Sequence, residues 1–227
     1  AENNTAANLE FLRAHAPIVA KPCSQWGGRG VSMGVRNAAD LKAAVRHARK
    51  YESDIIMEET VPGDDLRVIL VGNELAAAIR RTPAHVTGDG AHTIRQLILR
   101  QNAARRKADP SNLIPWDAET RRNLAELGHD AASVPSAGQP VRVRLTNNYH
   151  TGGTVEVVTT SVPPQALAMA KTIAGRLDLP LAGIDFLIDP ATGRITVIEV
   201  SPDMAISPPE GPAVARSLLD LLFPGSR

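Results

Sequence analysis

The sequence predicts an α+β fold of two units, because short apolar strands alternate with amphipathic helices along its 227 residues. A small unit at about residues 17–60 contains a glycine-rich loop between two predicted strands. A larger unit follows, with the two-residue hairpin signal Gly72-Asn73 and a pair of strands on either side of residues 189–193. A chain of this length can bury a sizeable core.

The small unit has its helix and strand signals in a clear order. Asn4 is a candidate N-cap for a first helix, which Pro17 ends. Asn37 is the candidate cap of a second helix, because apolar residues follow it at helical spacing. The strands of this unit are predicted at 18–21, 31–35 and 54–59.

The larger unit mixes strands and helices after a turn at Pro62-Gly63. Its strands are predicted at 66–71, 74–80, 141–145, 182–188 and 194–200. Its helices are predicted at 93–106, 119–127, 163–177 and 213–222.

Composition argues against several functional classes. The formal net charge is only +1, so bulk electrostatics favour neither nucleic acid nor a membrane surface as a partner. Aromatic residues make up 3%, too few for a base-stacking surface. The single Cys23 allows no internal disulfide, and no apolar run approaches the ~20 residues of a membrane span. We therefore expect a cytoplasmic protein that acts on small molecules.

Asp185 and Glu199 are the strongest candidate metal ligands. In a hairpin that pairs Ile188 with Arg194, the two acids are diagonal neighbours on one face of the sheet. Ser201 falls on the same face. A register slip of one residue would place the two acids on opposite faces.

Two carboxylates within an otherwise apolar sheet repel each other and lose hydration. A bound Mg²⁺ (or Mn²⁺) would remove both penalties, since it prefers carboxylate and phosphate oxygens. The alternative is that one acid lies in water at a strand end while the other pairs with an arginine. The sequence alone leaves both interpretations open.

A second candidate site is the glycine-rich segment 25–30, which lies between two strands and so is neither a Walker A loop nor a dinucleotide fingerprint. Its glycines allow backbone N–H groups to approach phosphates, and Lys21 could add a positive charge. Such a hairpin by itself is more often a simple turn. The strand ending in Glu58-Glu59 offers an apolar wall and acids for an adenine and a ribose, with a solvated edge strand as the alternative.

Taken together, these segments resemble the ATP-grasp superfamily, and they occur in the order found there. The matching motifs are Val19–Pro22, Gly27–Gly30, Met57–Arg67, Gly183–Asp185 and Ile198–Val200. Two longer segments, Arg80–Arg95 and Arg144–Thr154, are similar to cyanophycin synthetases and their relatives. Ile114–Thr120 and Leu218–Pro224 are most similar to N-acetylglutaminylglutamine synthetases.

The resemblance covers nearly the whole chain from about Pro17. It implies an α+β ATP-grasp fold with two subdomains and a nucleotide cleft between them, the N-terminal domain of the family lying outside this sequence. The implied segments are an N-terminal helix at 1–16, a small subdomain at 17–62, and a large subdomain at 63–227 with an insertion at about 82–140.

The chemistry that the resemblance implies is amide formation. A carboxylate takes the γ-phosphoryl group of ATP, and an amine displaces phosphate from the resulting acylphosphate, with ATP and Mg²⁺ (or Mn²⁺) as cofactors. The implied phosphate, adenine and ribose contacts are Lys21, Gly27, Gly28, Gly30, Glu58, Glu59, Val61 and Asp65. The implied metal ligands are Asp185, Glu199 and Ser201. The implied catalytic residues, which stabilise or place the transferring group, are Arg67, Arg80, Arg144 and Asn148.

Two alternatives to an N-acetylglutaminylglutamine synthetase-like ligase remain open. Ser201 stands where the family usually has asparagine, and residues 202–205 lack its usual Pro-Gly loop. Ser201, together with the family's N-terminal domain lying outside this sequence, favours a non-catalytic nucleotide-binding module. A peptide polymerase of the cyanophycin synthetase type would use the same site. For each arginine, a surface ion pair is the simpler explanation. The partners are expected to be small amino-acid or peptide substrates.

Overall fold

The computed structural model describes residues 5–25, 28–203 and 206–225. The predicted cap Asn4 and the loop residue Gly27 lie outside them. Within them the chain forms, in order, α1 (Thr5–His15), β1 (Ile18–Pro22), β2 (Ser32–Val35), α2 (Ala38–Ala48), β3 (Ile55–Glu59), β4 (Asp64–Val71), β5 (Glu74–Thr82), β6 (His85–Thr87), α3 (Ile94–Ala108), α4 (Ala118–Glu126), β7 (Pro140–Arg142), β8 (Thr154–Val157), α5 (Pro164–Arg176), β9 (Leu181–Ile188), β10 (Ile195–Ser201) and α6 (Gly211–Leu222). Short 3₁₀ helices span Tyr149–Thr151 and Thr159–Ser161.

The chain divides into two compact units. The first combines Ala1–Thr60 with Pro83–Gly153, and the second combines Val61–Thr82 with Thr154–Arg227. This division follows packing, whereas the boundaries at 16, 62 and 82–140 follow chain order and remain a prediction. No helix in the described ranges is long and apolar enough to cross a membrane.

The first unit contains an antiparallel sheet of order β2-β1-β3, with α1 and α2 on one face. The alternation of the strands buries every second residue, so Ile18, Ala20 and Ile55 pack against the helices. Asn37 caps α2 by accepting hydrogen bonds from the backbone N–H groups of Ala39 and Asp40, which confirms the predicted cap.

The rest of the first unit, residues 83–153, packs α3 and α4 around the β6–β7 ribbon. Thr93 begins α3 with a capping box completed by Gln96. Both helices confirm the sequence prediction. The predicted strand at 141–145 is wrong in extent, because the backbone N–H groups of Val143 and Arg144 both donate to the carbonyl of Ala84, which ends the regular ladder at β7.

The second unit is a five-stranded antiparallel sheet of order β10-β9-β4-β5-β8. The hairpin predicted at Gly72-Asn73 is confirmed, since both residues have positive φ and Val71 pairs with Glu74. One face is covered by α5, whose alanines pack on a core that includes Leu66, Val68, Ile184 and Phe186. On the other face α6 packs at the end of the β4–β5 hairpin, where Val214 is buried, and Leu181 at the start of β9 packs against the same cluster. The short β8 was not predicted.

Candidate functional site

Four charged side chains share one face of the second unit's sheet. Arg67 on β4 lies directly opposite Asp185 on β9, and Asp65 on β4 lies opposite Arg81 on β5. Because Asp65 and Arg67 are two residues apart on one strand, both pairs point to the same side. This side is opposite the one that α5 covers, since Leu66 belongs to the α5 core.

Arg81 links the two acids of this cluster. Its Nε and Nη2 donate to the carboxylate oxygens of Asp65 at 2.7 and 3.1 Å, and Nη2 also lies 2.9 Å from Oδ2 of Asp185. Arg67 donates to Asp185 through Nε at 2.6 Å and Nη2 at 2.8 Å. Forked contacts of this kind fix both distance and orientation. We call Asp65, Arg67, Arg81 and Asp185 the charged-face cluster.

Electrostatics keep the charged-face cluster ionised. Burial by itself would raise the pKa of Asp185, but the hydrogen bond from Arg67 and the charges of Arg81 and Arg67 hold that pKa below its usual value. Burial would lower the pKa of Arg81, yet the two carboxylates raise it. The two positive and two negative side chains balance one another.

The predicted register of β9 and β10 is wrong by one residue, because Ile188 faces Ile195 and not Arg194. A regular ladder from that pair would set Asp185 and Glu199 on opposite faces. A bulge between Val197 and Glu199 inserts one residue and brings Glu199 directly opposite Asp185. The shared face therefore holds, although the predicted pairing does not.

Glu199 and Ser201 stand at the edge of the charged-face cluster. Glu199 is exposed, and its Oε1 accepts a hydrogen bond of 2.9 Å from the hydroxyl of Ser201. Asp185 is paired with arginines, as in the alternative interpretation of the sequence. Within the described ranges no three His, Cys, Asp or Glu side chains are grouped to hold a metal ion.

The oxygen donors nevertheless suit Mg²⁺, which often takes one or two carboxylates and fills its other positions with phosphates and water. A carboxylate offers about four acceptor positions, and three donor nitrogen contacts on Asp185 leave one of them open. Glu199 adds a second carboxylate on the same face. Asp185, Glu199 and Ser201 are thus a chemically fitting set.

Arg80, predicted beside this site, lies on the other face of the sheet. It is directly opposite Leu66 on β4 and Glu156 on β8, and its Nη1 lies 3.1 Å from a carboxylate oxygen of Glu156. Both side chains of that pair are exposed. The sequence analysis missed Arg81, the neighbour that belongs to the charged-face cluster; the only signal for it was its place next to Arg80.

In the first unit, Lys21 and Glu58 meet on the sheet face that the helices leave open. Lys21 lies opposite Ile56 and Glu58 lies opposite Val19, so all four side chains share that face. Nζ of Lys21 is 2.8 Å from a carboxylate oxygen of Glu58. The structure therefore brings two predicted nucleotide contacts together next to apolar side chains.

Glu59 points the other way. It lies opposite the buried Ile18, and its carboxylate is 3.5 Å from Nδ1 of His15. Of the two predicted adenine contacts on β3, only Glu58 shares a face with Lys21. Val61 belongs to the second unit, where it is partly buried.

The glycine-rich loop requires its glycines for two reasons. Gly28 and Gly30 have φ of 73° and 74°, a region that residues with a side chain seldom adopt. A Cβ at Gly30 would also lie 2.7 Å from Cγ of Pro22, and one at Gly28 would lie 3.1 Å from the amide nitrogen of Asn148. The structure thus places Asn148, a predicted catalytic residue, against this loop.

Asn148 is held in place by its own turn. Its side-chain Oδ1 accepts the backbone N–H of His150 at 2.8 Å, and its carbonyl accepts the N–H groups of Thr151 and Gly153. Gly152, at φ 89°, ends the short helix that Asn148 begins. The amide of Asn148 is therefore held within its own turn, and it lies next to Gly28.

Arg144 lies in a separate buried cluster of the first unit. Its Nη1 donates to both carboxylate oxygens of Asp117 at 2.7 Å, and its Nη2 donates to Glu119 at 2.7 Å. Asp117 also caps α4 through the backbone N–H of Thr120. We call Asp117, Glu119 and Arg144 the buried-arginine cluster; it fastens the start of α4 to the chain that follows β7.

Burial and the nearby donors act against each other on the two acids of the buried-arginine cluster, with a different outcome for each acid. Burial raises the pKa of Glu119 despite the nearby charge of Arg144. It would also raise the pKa of Asp117, but the N–H of Thr120 and the guanidinium of Arg144 bring that pKa below its usual value. The two acids of one arginine are thus shifted in opposite directions.

Comparison with protein families matches residues 2–91 to the model described as "D-ala D-ala ligase C-terminus". A cyanophycin synthetase of Trichormus variabilis is 30% identical over 96% of this chain and 26% of its own length. The bifunctional glutathione biosynthesis protein GshAB of Mannheimia succiniciproducens is 31% identical over 75% of this chain and 24% of its own length. The chain spans about a quarter of the length of these relatives.

Solved structures show the same fold. A bifunctional glutathione synthetase from Pasteurella multocida matches with a TM-score of 0.55 and 23% identity, over 91% of this chain and 30% of that one. A D-alanine–D-alanine ligase from Bacillus anthracis matches with a TM-score of 0.55 and 13% identity, over 94% and 54%. The α+β ATP-grasp fold predicted from the sequence is confirmed by these structures, and in sequence the chain is similar to cyanophycin synthetases and to bifunctional glutathione biosynthesis proteins.

Proposed function

We propose that this chain supplies the nucleotide-binding part of an ATP-dependent carboxylate–amine ligase. Such an enzyme forms an amide through an acylphosphate and releases ADP and phosphate. The observation that carries the proposal is the direct pairing of Asp185 with Glu199, on the sheet face that also holds Arg67 and Arg81. Acids for a metal and cations for phosphoryl oxygens are both needed in phosphoryl transfer, which depends on positioning and charge neutralisation.

In the second unit, we propose that Asp185, Glu199 and Ser201 hold Mg²⁺ or Mn²⁺. When bound, the metal neutralises and orients the phosphates of ATP. Arg67 and Arg81 are positioned to stabilise the transferring phosphoryl group, since both already point to the face that carries the acids. We prefer Arg81 to Arg80 for this role, because Arg80 faces the other side of the sheet.

In the first unit, we propose that Lys21, Gly28 and Gly30 contact phosphates, with Gly27 as a further predicted contact. Asn148 supports this role, since its amide lies beside the loop. Glu58, which shares the open face with Lys21, is our proposed adenine contact, and Glu59 is a weaker one because it faces the core side.

Two other predicted residues already have strong partners. Asp65 remains the proposed ribose contact, although Arg81 would have to share it. Arg144 is better proposed as a positioning residue, since both of its Nη atoms donate to carboxylates.

The finer proposal is a ligase like N-acetylglutaminylglutamine synthetase, which acts in the cytoplasm on small amino-acid or peptide substrates. It rests on the sequence resemblance of Ile114–Thr120 and Leu218–Pro224. The names of the relatives, which are synthetases of cyanophycin and glutathione, support amino-acid-like substrates. A polymerase of the cyanophycin type would be distinguished from this ligase by its products, which would form a series of chains of increasing length and not a single amide.

Calorimetric titration with Mg-ATP, followed by a coupled assay of ADP release with glutamine-type substrates, tests the proposal. We expect Glu199→Gln to weaken Mg-ATP binding by about tenfold or more, because one of two carboxylate ligands is lost. Glu156→Gln is the matched control, since Glu156 is also an exposed strand residue but faces the other side. Equal binding by wild type and Glu199→Gln would contradict the proposal.

Ser201 favours a second candidate, a nucleotide-binding module without turnover. As a metal ligand, the hydroxyl of Ser201 reaches less far than the amide of an asparagine. It also donates a hydrogen bond to Glu199. Mg-ATP binding without ADP release, with turnover gained in Ser201→Asn, would support this module. ADP release by the wild type would reject it.

A further inference from the structure

A cavity of about 550 Å³ opens on the first unit between α3 and the segment that leads into α4. Its walls are mostly apolar and include Ile98, Leu99 and Leu113. A concave site of a few hundred Å³, with apolar walls and a few polar groups, is the usual form of a small-molecule site. Of the nucleotide contacts proposed above, those that the structure describes all lie outside these walls.

The far wall of the cavity is joined by hydrogen bonds within the protein. The buried side chain of Asn102 donates to the carbonyl of Ile114 at 2.8 Å and accepts its N–H at 2.9 Å. On the other side of Ile114, Gly152 packs so closely that a Cβ would collide. A site whose shape exists in advance loses little conformational entropy when a ligand binds.

Two arginines mark the ends of the cavity. Arg95 and Arg106 are 11 residues apart on α3, which is three turns, so they lie on the same side of the helix with roughly 16 Å between their Cα atoms. Among the described residues that line the cavity, none is acidic. Positive charge at both ends of an apolar trough suits a ligand with an anionic group at each end.

Both guanidinium groups are available to a ligand. Within the described ranges neither Arg95 nor Arg106 donates a side-chain hydrogen bond or forms an ion pair, whereas Arg100 on the same helix contacts His92 and Asp89. The guanidinium of Arg95 lies 5.8 Å from the ring centroid of Trp116, a cation–π contact that orients its donor edge.

We infer that this cavity binds an elongated dicarboxylate of small-molecule size, with one carboxylate on Arg95, the other on Arg106, and the apolar chain along the wall formed by Ile98 and Leu99. The inference does not depend on nucleotide binding. An aliphatic chain of about eight carbons bridges the two arginines, because each bidentate contact adds ~4 Å to the span of the chain. The bound molecule is either a substrate or an effector.

The test is calorimetric titration of the chain with suberate, an eight-carbon dicarboxylate, in the absence of ATP. We expect Arg95→Gln and Arg106→Gln each to weaken suberate binding about tenfold, since each removes one charge-assisted contact. Arg100→Gln is the control and should bind as the wild type does. Succinate, which is too short, and octanediamide, which lacks the charges, should bind at least about tenfold more weakly than suberate.

Two results would overturn the inference: no binding of suberate, or equal binding of suberate and octanediamide. If Arg95→Gln and Arg106→Gln unfold at the same temperature as the wild type, any loss of suberate binding is due to the lost arginine–carboxylate contact and not to misfolding. Where suberate binds, ADP-release assays separate the two sources of such a ligand. Competition with the carboxylate substrate identifies a substrate subsite, and a changed turnover without competition identifies an effector site.

Discussion

The two units each contain an arginine–carboxylate cluster, and the clusters differ in how completely their groups are paired. In the charged-face cluster, two arginines meet two acids across neighbouring strands. In the buried-arginine cluster, one arginine serves two acids, and Nε of Arg144 and Oε1 of Glu119 have no hydrogen-bond partner among the described residues. The charged-face cluster borders the exposed Glu199, whereas the buried-arginine cluster joins a helix to its neighbouring segment.

The sequence context of an arginine therefore does not reveal its role. Arg67 and Arg144 were both predicted to act on the transferring group. Only Arg67 lies on the face that carries the proposed metal ligands. Arg144 is hydrogen-bonded to acids that would be buried without a cation if it were removed. We therefore expect its substitution to lower stability more than it lowers activity directly.

The largest effect is therefore expected for Arg144→Leu. The substitution leaves Glu119 and Asp117 without their cation, and breaking a buried ion pair from one side costs about 3–5 kcal/mol. Urea denaturation measures the change in the free energy of unfolding. A loss below about 1 kcal/mol would mean that the cluster is solvated and does not fasten α4.

For Arg81→Gln we expect a smaller loss of stability and a larger loss of activity. The amide can still hydrogen-bond to Asp65 or Asp185, so we expect the free energy of unfolding to fall by about 1–3 kcal/mol relative to the wild type. Turnover should fall about 100-fold, comparable to losing one preorganised donor at a charged transition state. Arg80→Gln serves as the control in the ADP-release assay, and a fall in its turnover as large as that of Arg81→Gln would reverse our choice between the two arginines.

The pH dependence of stability distinguishes the clusters by sign. The pKa of Asp185 is lowered in the folded state. Its contribution to stability is therefore present above the pKa of the unfolded state, about 3.9, and is lost as the pH falls through the pKa of the folded state. The pKa of Glu119 is raised in the folded state, so its contribution to stability is present at low pH and is lost as the pH rises through the pKa of the folded state. Acid denaturation should therefore become less steep in Asp185→Asn and steeper in Glu119→Gln, as measured by urea midpoints between pH 2 and about pH 6. The opposite order would refute the assignment.

The smallest effect is expected at the exposed pair of Arg80 and Glu156. Surface ion pairs contribute about 0–1 kcal/mol, and salt screens them. Thermal unfolding of Glu156→Gln at low and high salt measures this contribution. A loss above about 2 kcal/mol would show that exposure is a poor guide to the strength of this pair.

Much of the fold could be predicted from the sequence because it depends on local signals. The cap at Asn37, the hairpin at Gly72-Asn73 and the helices α3 and α5 each follow from residues that lie next to one another. Short β8 escaped prediction, because four residues carry too little alternation to distinguish a strand.

The site was harder to predict because two β-bulges change which residues share a face. Without the irregularity between Ile69 and Leu70, the Gly72-Asn73 hairpin would pair Asp65 with Arg80; with it, Asp65 pairs with Arg81. The bulge in β10 likewise decides that Glu199 faces Asp185. A bulge depends on packing between strands, and no neighbouring residue in these two strands predicts it.

Electron paramagnetic resonance of Mn²⁺ in the presence of ATP decides whether the Asp185–Glu199 face holds the metal, because the signal comes from the metal itself. We expect the wild type and Glu156→Gln to bind Mn-ATP equally well, and Glu199→Gln to bind it at least about tenfold more weakly. Full retention of the bound-metal signal in Glu199→Gln would contradict the assignment of the Asp185–Glu199 face as the metal site.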